Sequence, residues 1–413
     1  MTLRFSALTI TVCVLLGSAL APSLCTSARA APAVDADSEL VVLDRLEVHG
    51  STDSPAGFLE TYGDLPLGTS MAPGALQDHL AKFKLRLEAL SYFKSVDLHL
   101  ERGQVRNHYI VVIDLEIVSP YYGGVGASAY RGKRNLPVLG PLVFTMDGDG
   151  REARAFAGSR NIAGTGLMAD LELRHFDVNA RDGYIKGLAG DVITASLFHP
   201  AIAHSPYSLG VQVAEGKTAT TFQFGAYQNR VNTVVDTYAV DLGRRFGLNS
   251  ISLVGGRSAV RMLDTLFNFN TAVNYVGLRD IYSEKSFLAA VEPGTVVKFA
   301  ALRTVRDDTT FPLINLSVEN TQLFASHQAI TPRFQAVYSY DYQLSILYQW
   351  ISPWNWAFGL QPLAVAGLGT KPGYGFGLSA KYVTPSFFVD LSLSVGTQSF
   401  DDGQTVGRHG VAQ

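Results

Sequence analysis

The sequence predicts a small α+β module followed by an all-β antiparallel transmembrane barrel of about sixteen strands. Three observations lead there: an export signal at the N-terminus, no later apolar run long enough to cross a bilayer as a helix, and a long series of segments in which apolar and polar residues alternate. Only helices and closed barrels satisfy every backbone N–H and C=O in lipid, so a membrane chain without membrane helices has to close its sheet.

Arg4 precedes an apolar stretch from Phe5 to Ala21, and Ala28-Arg29-Ala30 has the small-x-small pattern that signal peptidase cuts. Residues 1–30 are set apart as a signal peptide and 31–39 as a linker. Cys25 follows Pro22-Ser23-Leu24, which lacks the small residue expected before a lipidated cysteine. Cys13 and Cys25 both fall in the removed segment, so the mature chain is left without a disulfide, a thiolate nucleophile or a thiolate metal ligand. The chain is 47% hydrophobic and 17% charged, against about 25% charged in soluble domains. Beyond the signal no apolar run reaches the roughly 18 residues of a membrane helix. A net charge of −3 without a basic cluster excludes an electrostatic nucleic-acid binder.

From Glu39 to Val48 the chain reads as a strand with Val42, Leu46 and Val48 on one side. Ser54-Pro55 opens a short helix through Tyr62, Pro66 and Gly68 make a turn, and Ser70 with Pro73 supplies the cap and first-turn signal of a longer helix. There Leu76, Leu80, Phe83, Leu87 and Leu90 recur at steps of four, three, four and three, a single stripe to bury against a sheet. Two strands follow. In the first, Val96, Leu98 and Leu100 alternate with Ser95, Asp97 and His99; after the Arg102-Gly103 turn, Tyr109, Val111, Ile113, Leu115 and Ile117 share a face. Residues 40–118 thus make one β-α-α-β-β module.

Past Val118 the helical period disappears and residues 120–400 alternate as lipid-facing strands must. Phe387, Val389, Leu391, Leu393 and Val395 oppose Asp390, Ser392, Ser394 and Gly396; Leu167, Ala169, Leu171 and Leu173 oppose Asp170, Glu172 and Arg174; Tyr374, Phe376, Leu378, Ala380 and Tyr382 oppose Gly375, Gly377, Ser379 and Lys381. A soluble sandwich would show the same alternation with its polar face in outside water. The export signal, the absence of disulfides and the aromatic content favour the barrel. Trp350, Trp354 and Trp356 gather around Ser352-Pro353, with Tyr338, Tyr340, Tyr342 and Tyr348 just before, which suits either an interfacial girdle or an aromatic core corner. The span from Tyr121 to Phe400 divides into about sixteen segments, an even count being the expectation for bacterial barrels. Tyr121 to Tyr130 is the expected first strand, Pro385 to Phe400 the last, and 401–413 a polar tail.

The β-α-α-β-β order resembles the polypeptide-transport-associated (POTRA) module, and Arg86-Leu87-Glu88-Ala89-Leu90-Ser91-Tyr92-Phe93 followed by Val96 is similar to its helix-to-strand signature. Leu87 and Leu90 close the helix stripe while Phe93 plugs the sheet. Ser159-Arg160-Asn161-Ile162-Ala163-Gly164-Thr165-Gly166 resembles the Asn-aliphatic-x-Gly-x-Gly hairpin near the start of barrels in the bacterial surface-antigen family, which includes the BamA and TamA assembly factors. Asn and Gly tolerate positive φ and suit such a connection. The resemblances imply a short, single-POTRA member of the outer-membrane assembly and translocation superfamily, seated in the outer membrane of a Gram-negative bacterium with its module in the periplasm.

Members of that family usually carry a Val-Arg-Gly-aromatic motif on a late extracellular loop that folds into the lumen. Here Tyr130-Arg131-Gly132-Lys133 falls too early, and Val305-Arg306-Asp307-Asp308 lacks the glycine. Enzymatic chemistry is not expected. No Gly-x-Ser-x-Gly occurs, the histidines are scattered, with His199 and His204 read as loop residues, and Asp170, Glu172, Asp241, Glu319 and Asp390 sit in alternating segments that suit a lumen lining better than paired acids. Gly148-Asp149-Gly150 reads as a hairpin end rather than a calcium or phosphate loop. No cofactor or metal is expected.

The resemblance implies that the module captures an extended client segment by strand addition and hands it to the barrel. The edge strand would be Ser95, Val96, Asp97, Leu98, His99 and Leu100. Client strands would bud at a weak seam between the first and last barrel strands, marked by Tyr121, Gly123, Gly124, Gly126 and Phe400, where the glycines either soften the closure or relieve crowding inside the barrel. Expected partners are unfolded or extended outer-membrane or exported proteins, outer-membrane lipid and periplasmic accessory proteins, with no nucleic acid. A passive or secretion channel and a structural surface-antigen barrel are the other readings.

Overall fold

The computed structural model describes residues 40–398 apart from 51–55, 89–92, 140–141, 182–183, 203–204, 225–226, 247, 264–269, 286–288, 307–308, 338–340 and 368–372. The expected signal, linker and tail, and with them Leu90, His204 and Phe400, lie outside the described residues.

The module runs β1 (Val41–His49), α1 (Ala56–Gly63), β2 (Ser70–Met71), α2 (Pro73–Glu88), β3 (Phe93–Arg102) and β4 (His108–Ile117). Its sheet has the order β2-β1-β4-β3, with β1 parallel to β4 and the other pairs antiparallel. Pro73 occupies the first helical position of α2, where its missing N–H costs nothing. Leu76, Phe83 and Leu87 of the expected stripe are buried on the sheet with Val96, Val111, Ile113 and Leu115. α1 and α2 touch at Gly63, where any Cβ would overlap the Phe83 ring. Arg86 fastens the contact by donating to the Gly63 carbonyl at 2.6 Å and pairing with Asp64 at 3.1 Å.

Two local details depart from expectation. Ser70 is no helix cap: Ser70–Met71 pairs with Val41–Val42 as a two-residue strand. On β1 the buried residues are Val41, Leu43 and Leu46, because a bulge between Leu43 and Arg45 shifts the alternation by one residue and leaves Val42 and Val48 half-buried.

The barrel begins with β5 (Tyr121–Leu139), β6 (Leu142–Ser159), β7 (Met168–Ala180), β8 (Ile185–His199) and β9 (Tyr207–Phe224). It continues with β10 (Tyr227–Phe246), β11 (Asn249–Met262), β12 (Asn270–Ser283), β13 (Gly294–Arg306) and β14 (Thr309–Ala325). It ends with β15 (Gln328–Val337), β16 (Asp341–Ile351), β17 (Trp356–Gly367), β18 (Gly373–Val383) and β19 (Phe387–Gln398). Among the described residues this is fifteen strands in a closed ring, one fewer than the even count expected. The reason is strand length: β5, β6, β9 and β10 take 19, 18, 18 and 20 residues, nearly twice the 9–11 or so that a membrane crossing needs. An odd meander has a geometric consequence. Every neighbouring pair is antiparallel except the closing one, where β19 and β5 run parallel.

The module joins β5 at Tyr121, which defines the near end of the barrel. Facing outward, Val125, Ala127 and Ala129 on β5 give way to Arg131; Ala157, Ala155 and Ala153 on β6 to Arg151; Leu171 and Leu173 on β7 to His175; Ile193 on β8 to Asp191. Tyr121 to Arg131 spans about 25 Å of height on a tilted strand, the thickness of an outer-membrane apolar belt. The long strands therefore continue past that belt at the far end. Gly148-Asp149-Gly150 lies in this extension, inside β6 rather than at a hairpin end. Asp149 there pairs outward with Arg131 at 2.9 Å and Arg181 at 2.6 Å.

Trp350 and Trp354, at 44% and 78% exposure, flank the near-end turn between β16 and β17, so the cluster belongs to an exposed girdle and not to a core corner. Trp356 and Trp350 both stack on Phe358, at 6.1 and 5.8 Å between ring centres. Of the tyrosines grouped with them by sequence, Tyr348 is at this end and Tyr342 at the far end of the same strand; Tyr338 and Tyr340 lie outside the described residues.

Candidate functional site: the barrel seam and the module edge

The seam is held by nine consecutive register pairs, from Phe387 opposite Gly123 to Val395 opposite Arg131, with one more pair beyond an irregularity. Parallel pairing is slightly weaker per residue than antiparallel, so its inner face matters. Gly124 stands between Phe156 of β6 and Phe388 of β19 in one row, and Gly126 between Arg154 and Asp390 in the next. Lacking a side chain, each glycine lets the flanking residues meet across it. The Phe156 and Phe388 rings lie 6.0 Å apart, and Arg154 Nη2 donates to Asp390 Oδ2 at 2.5 Å. Tyr122 packs edge-on to Phe388 at 6.2 Å. The glycines thus make room for two staples over β5. Of the two roles expected for them, softening the closure and relieving crowding, the geometry fits the second.

The near end of β5 is pinned by a residue that sequence reasoning passed over as part of a turn. Arg160, only 2% exposed, lies 4.4 Å above the Tyr122 ring, donates its backbone N–H to Pro120 at 2.7 Å and its guanidinium to the Ser119 carbonyl at 3.1 Å. Burial pushes its pKa down to about 10, leaving it charged at neutral pH. The turn that carries it is built as its residues suggest, with one exchange: Gly164 and Gly166 hold positive φ, but Ala163 and not Asn161 is the other left-handed residue. Asn161 Oδ1 instead accepts the Gly166 N–H at 2.8 Å. A signal was available, namely a lone arginine beside an Asn-aliphatic-x-Gly-x-Gly turn with no acidic partner in reach of sequence.

Beneath the seam, Tyr122, Phe156, Val383 and Phe388 form a cluster against which Ala290 packs. Ala290 belongs to the near-end connection between β12 and β13, on the opposite wall of the ring, so this connection reaches across the lumen. Its root is fixed by Lys285, which donates to Glu319 at 2.7 Å and Thr321 at 2.8 Å. Neither Arg131-Gly132, inside β5, nor Val305-Arg306, at the end of β13, forms a lumen loop.

Four of the carboxylates singled out by sequence, Glu172, Asp241, Glu319 and Asp390, line the inner wall with basic partners. Asp241 pairs with Arg279, Glu319 with Lys285 and with Arg333 at 3.3 Å, and Glu172 with Arg174 at 3.2 Å. His199, at the end of β8, bonds the Thr165 carbonyl at 3.0 Å. No group of three metal-ligating side chains gathers among the described residues.

Among the described residues of the module, β3 pairs with β4 alone and its other side is an open sheet edge. Val96 is buried and Leu98 packs half-buried on the core, Ser95 is half-buried, and Asp97, His99 and Leu100 are exposed. Lys94 holds Glu116 of β4 at 2.6 Å and, by that hydrogen bond, keeps its carboxyl below the usual range. The module docks on the near mouth: Met168, Phe198 and Ala201 of the barrel join its core, and Arg245 of β10 lies 4.6 Å over the Tyr62 ring. Gly123, Gly124 and Gly126 lie in the β5–β19 ladder, Tyr121 opens β5 two residues before it and pairs with Ser159 of β6, and Phe400 falls outside the described residues.

No helix of the described residues is long and apolar enough to cross a membrane, and a closed barrel with an apolar outer belt fits an outer membrane. No protein-family profile matches the chain, and neither does any curated protein. Among solved structures, CdiB from Acinetobacter baumannii matches with a TM-score of 0.56 and 12% identity over 88% of this chain and 72% of that one. CdiB from Escherichia coli matches at 0.52 and 9% over 87% and 73%. BamA from Haemophilus ducreyi lacking POTRA domains 1-3 gives 0.41 and 10% over 87% and 82%. The likeness to the two CdiB structures establishes a shared fold: an outer-membrane-type barrel preceded by a small α+β module.

Proposed function

We propose that this chain is an outer-membrane protein assembly or translocation factor that works without enzymatic chemistry, its module facing the periplasm as a POTRA domain. Extended segments of outer-membrane or exported proteins add as a strand to the open edge of β3, along the backbone of Ser95, Val96, Asp97, Leu98, His99 and Leu100, and pass to the β5–β19 seam. The observation that carries this reading is the seam itself, a single parallel pairing in an otherwise antiparallel ring, closed inside by two rows of side chains that bridge glycine. A passive channel is less well supported, because the β12–β13 connection crosses the lumen.

The test is folding of an unrelated outer-membrane barrel in proteoliposomes containing this chain. Ala127 and Leu391 are register partners on the outer face of the seam, so Ala127→Cys with Leu391→Cys locks it by a disulfide. The locked protein is expected to lose the acceleration of client folding and to regain it with reductant. Leu100→Pro, at an exposed position whose N–H faces away from β4 in the ladder parity set by Gly103 and His108, removes an edge N–H and is expected to slow capture while the module keeps its circular dichroism. Equal acceleration by locked and reduced protein removes the seam from the mechanism.

A further inference from the structure

We infer that the outer wall of the barrel carries a binding site for the phosphorylated head of a glycolipid, built by Arg257 of β11, Asn274 of β12 and Arg303 of β13. All three side chains are exposed, and the ladder sets them together. Arg257 is the register partner of Asn274, whose partner on the other side, Val305, lies two residues from Arg303. Arg303 itself pairs with the exposed Val276, so the three share the outward face. Two strand spacings across and two residues along separate the arginine Cα atoms by about 12 Å. Two long side chains from that distance converge on one phosphate from opposite sides.

Charge singles these two arginines out. Bases on the neighbouring walls are matched by carboxylates: Arg131 holds Asp149 at 2.9 Å, Arg151 stands opposite Asp177, and Lys217 opposite Asp191. The register neighbours of Arg257 are Tyr238 and Asn274, and those of Arg303 are Val276 and Pro312. Asp236, one diagonal step from Arg257, is already held by Arg261 at 2.6 Å. Two positive charges thus face outward with a polar amide between them and no acid beside them in the ladder.

Position makes the ligand a lipid. Asn249 and Tyr282 are register partners at the near end of this wall, as Arg257 and Asn274 are toward the far end. On strands tilted by about 40° the rise between the two rows is about 20 Å, close to the height of an apolar belt. Leu253, Val276 and Leu278 lie exposed between them, a surface for acyl chains, and the arginines reach up from its border to a headgroup. Tyr238, also exposed, offers a ring face beside Arg257 on which a sugar can lie. With the module in the periplasm, the orientation proposed above on which this site rests, the border falls in the outer leaflet. A phosphorylated, acylated sugar there is lipid A.

The experiment takes the full chain in detergent micelles with diphosphoryl lipid A as the probe, read by native mass spectrometry. One lipid A per chain is expected. Arg257→Gln with Arg303→Gln is expected to weaken it about tenfold, and Arg151→Gln with Lys217→Gln to leave it unchanged. Dephosphorylated lipid A and phosphatidylglycerol are expected to bind several-fold more weakly, and millimolar inorganic phosphate, which lacks acyl chains, not to displace lipid A. In the parent protein lipid A is expected to shield Arg257 and Arg303 from phenylglyoxal while Arg151 stays reactive, a readout that needs no variant to fold. Equal loss in the two double variants, equal binding of phosphatidylglycerol, displacement by inorganic phosphate, or absence of shielding each overturns the inference. Digestion of the module by protease added to intact cells overturns the orientation and the outer-leaflet ligand with it. Lipid A binding without acceleration of client folding leaves the site and removes the assembly role; acceleration without binding does the reverse.

Discussion

Arg154 of β6 grips Asp390 of β19 over the bare backbone of Gly126, so that a single ion pair ties together three strands and spans the one parallel junction of the barrel. The contact exists only because position 126 has no side chain: a Cβ there would stand 2.5 Å from Arg154 Nε. Gly126→Val is therefore expected to push Arg154 off Asp390 and to destabilise the barrel by about 2 kcal/mol, the usual scale of overpacking. The measurement is the temperature at which the compact band is lost on a heat-modifiability gel. An unchanged midpoint would show that the pair contributes nothing to closure.

The charges themselves give a second expectation. With side-chain exposures of 10% and 13%, Arg154 and Asp390 sit between the limits of a surface pair and a desolvated one, so Asp390→Asn or Arg154→Gln costs about 2 kcal/mol by leaving its partner unpaired. The double variant is expected to cost less than the sum of the two singles, because neither charge is then stranded. Additive losses in the thermal midpoints would dissolve the coupling.

The alternation that betrays the barrel is written in the sequence because lipid and lumen impose it residue by residue: Leu391 and Leu393 cannot exchange places with Asp390 and Ser392. The stripe of Leu76, Phe83 and Leu87 is legible for the same reason, one period set by one buried face. Strand parity is not. It depends on how many residues each strand spends beyond the membrane, and β10 spends 20 where a crossing needs about half that. The seam glycines show a second limit. Gly124 and Gly126 are equally compatible with a loose closure and with a stapled one, and only the register that sets Phe156 and Arg154 beside them decides. The bulge on β1 hides likewise, since a shift between Leu43 and Arg45 leaves no mark in composition.

Arg160 links the turn after β6 to the peptide that leads from module to barrel. Arg160→Ala removes a charge-assisted bond to the Ser119 carbonyl and the cation–π contact with Tyr122, for an expected loss of about 2–3 kcal/mol. Lysine is a poor replacement, because an ammonium cannot lie flat on the ring while reaching the carbonyl. Hydrogen exchange locates the effect: protection should fall at residues 119–123 and persist in β16 and β17. A uniform fall across the barrel would mean that Arg160 supports the fold at large and not the start of the seam strand.

Lys285 offers a way to free the segment that crosses the lumen without stranding a charge in the wall. Its removal leaves Glu319 paired with Arg333 at 3.3 Å, so Lys285→Met is expected to cost the barrel little stability while releasing the root of the β12–β13 connection. With that root loosened, Ala290 loses its seat against Tyr122, Phe156 and Phe388, and the lumen should pass ions more readily. Planar-bilayer recordings are expected to show a higher open conductance for Lys285→Met than for the parent, with Glu319→Gln giving a smaller rise because Lys285 keeps its bond to Thr321 at 2.8 Å. The ordering matters more than either value: if Glu319→Gln opens the barrel as far as Lys285→Met does, the anchor is the carboxylate and not the lysine.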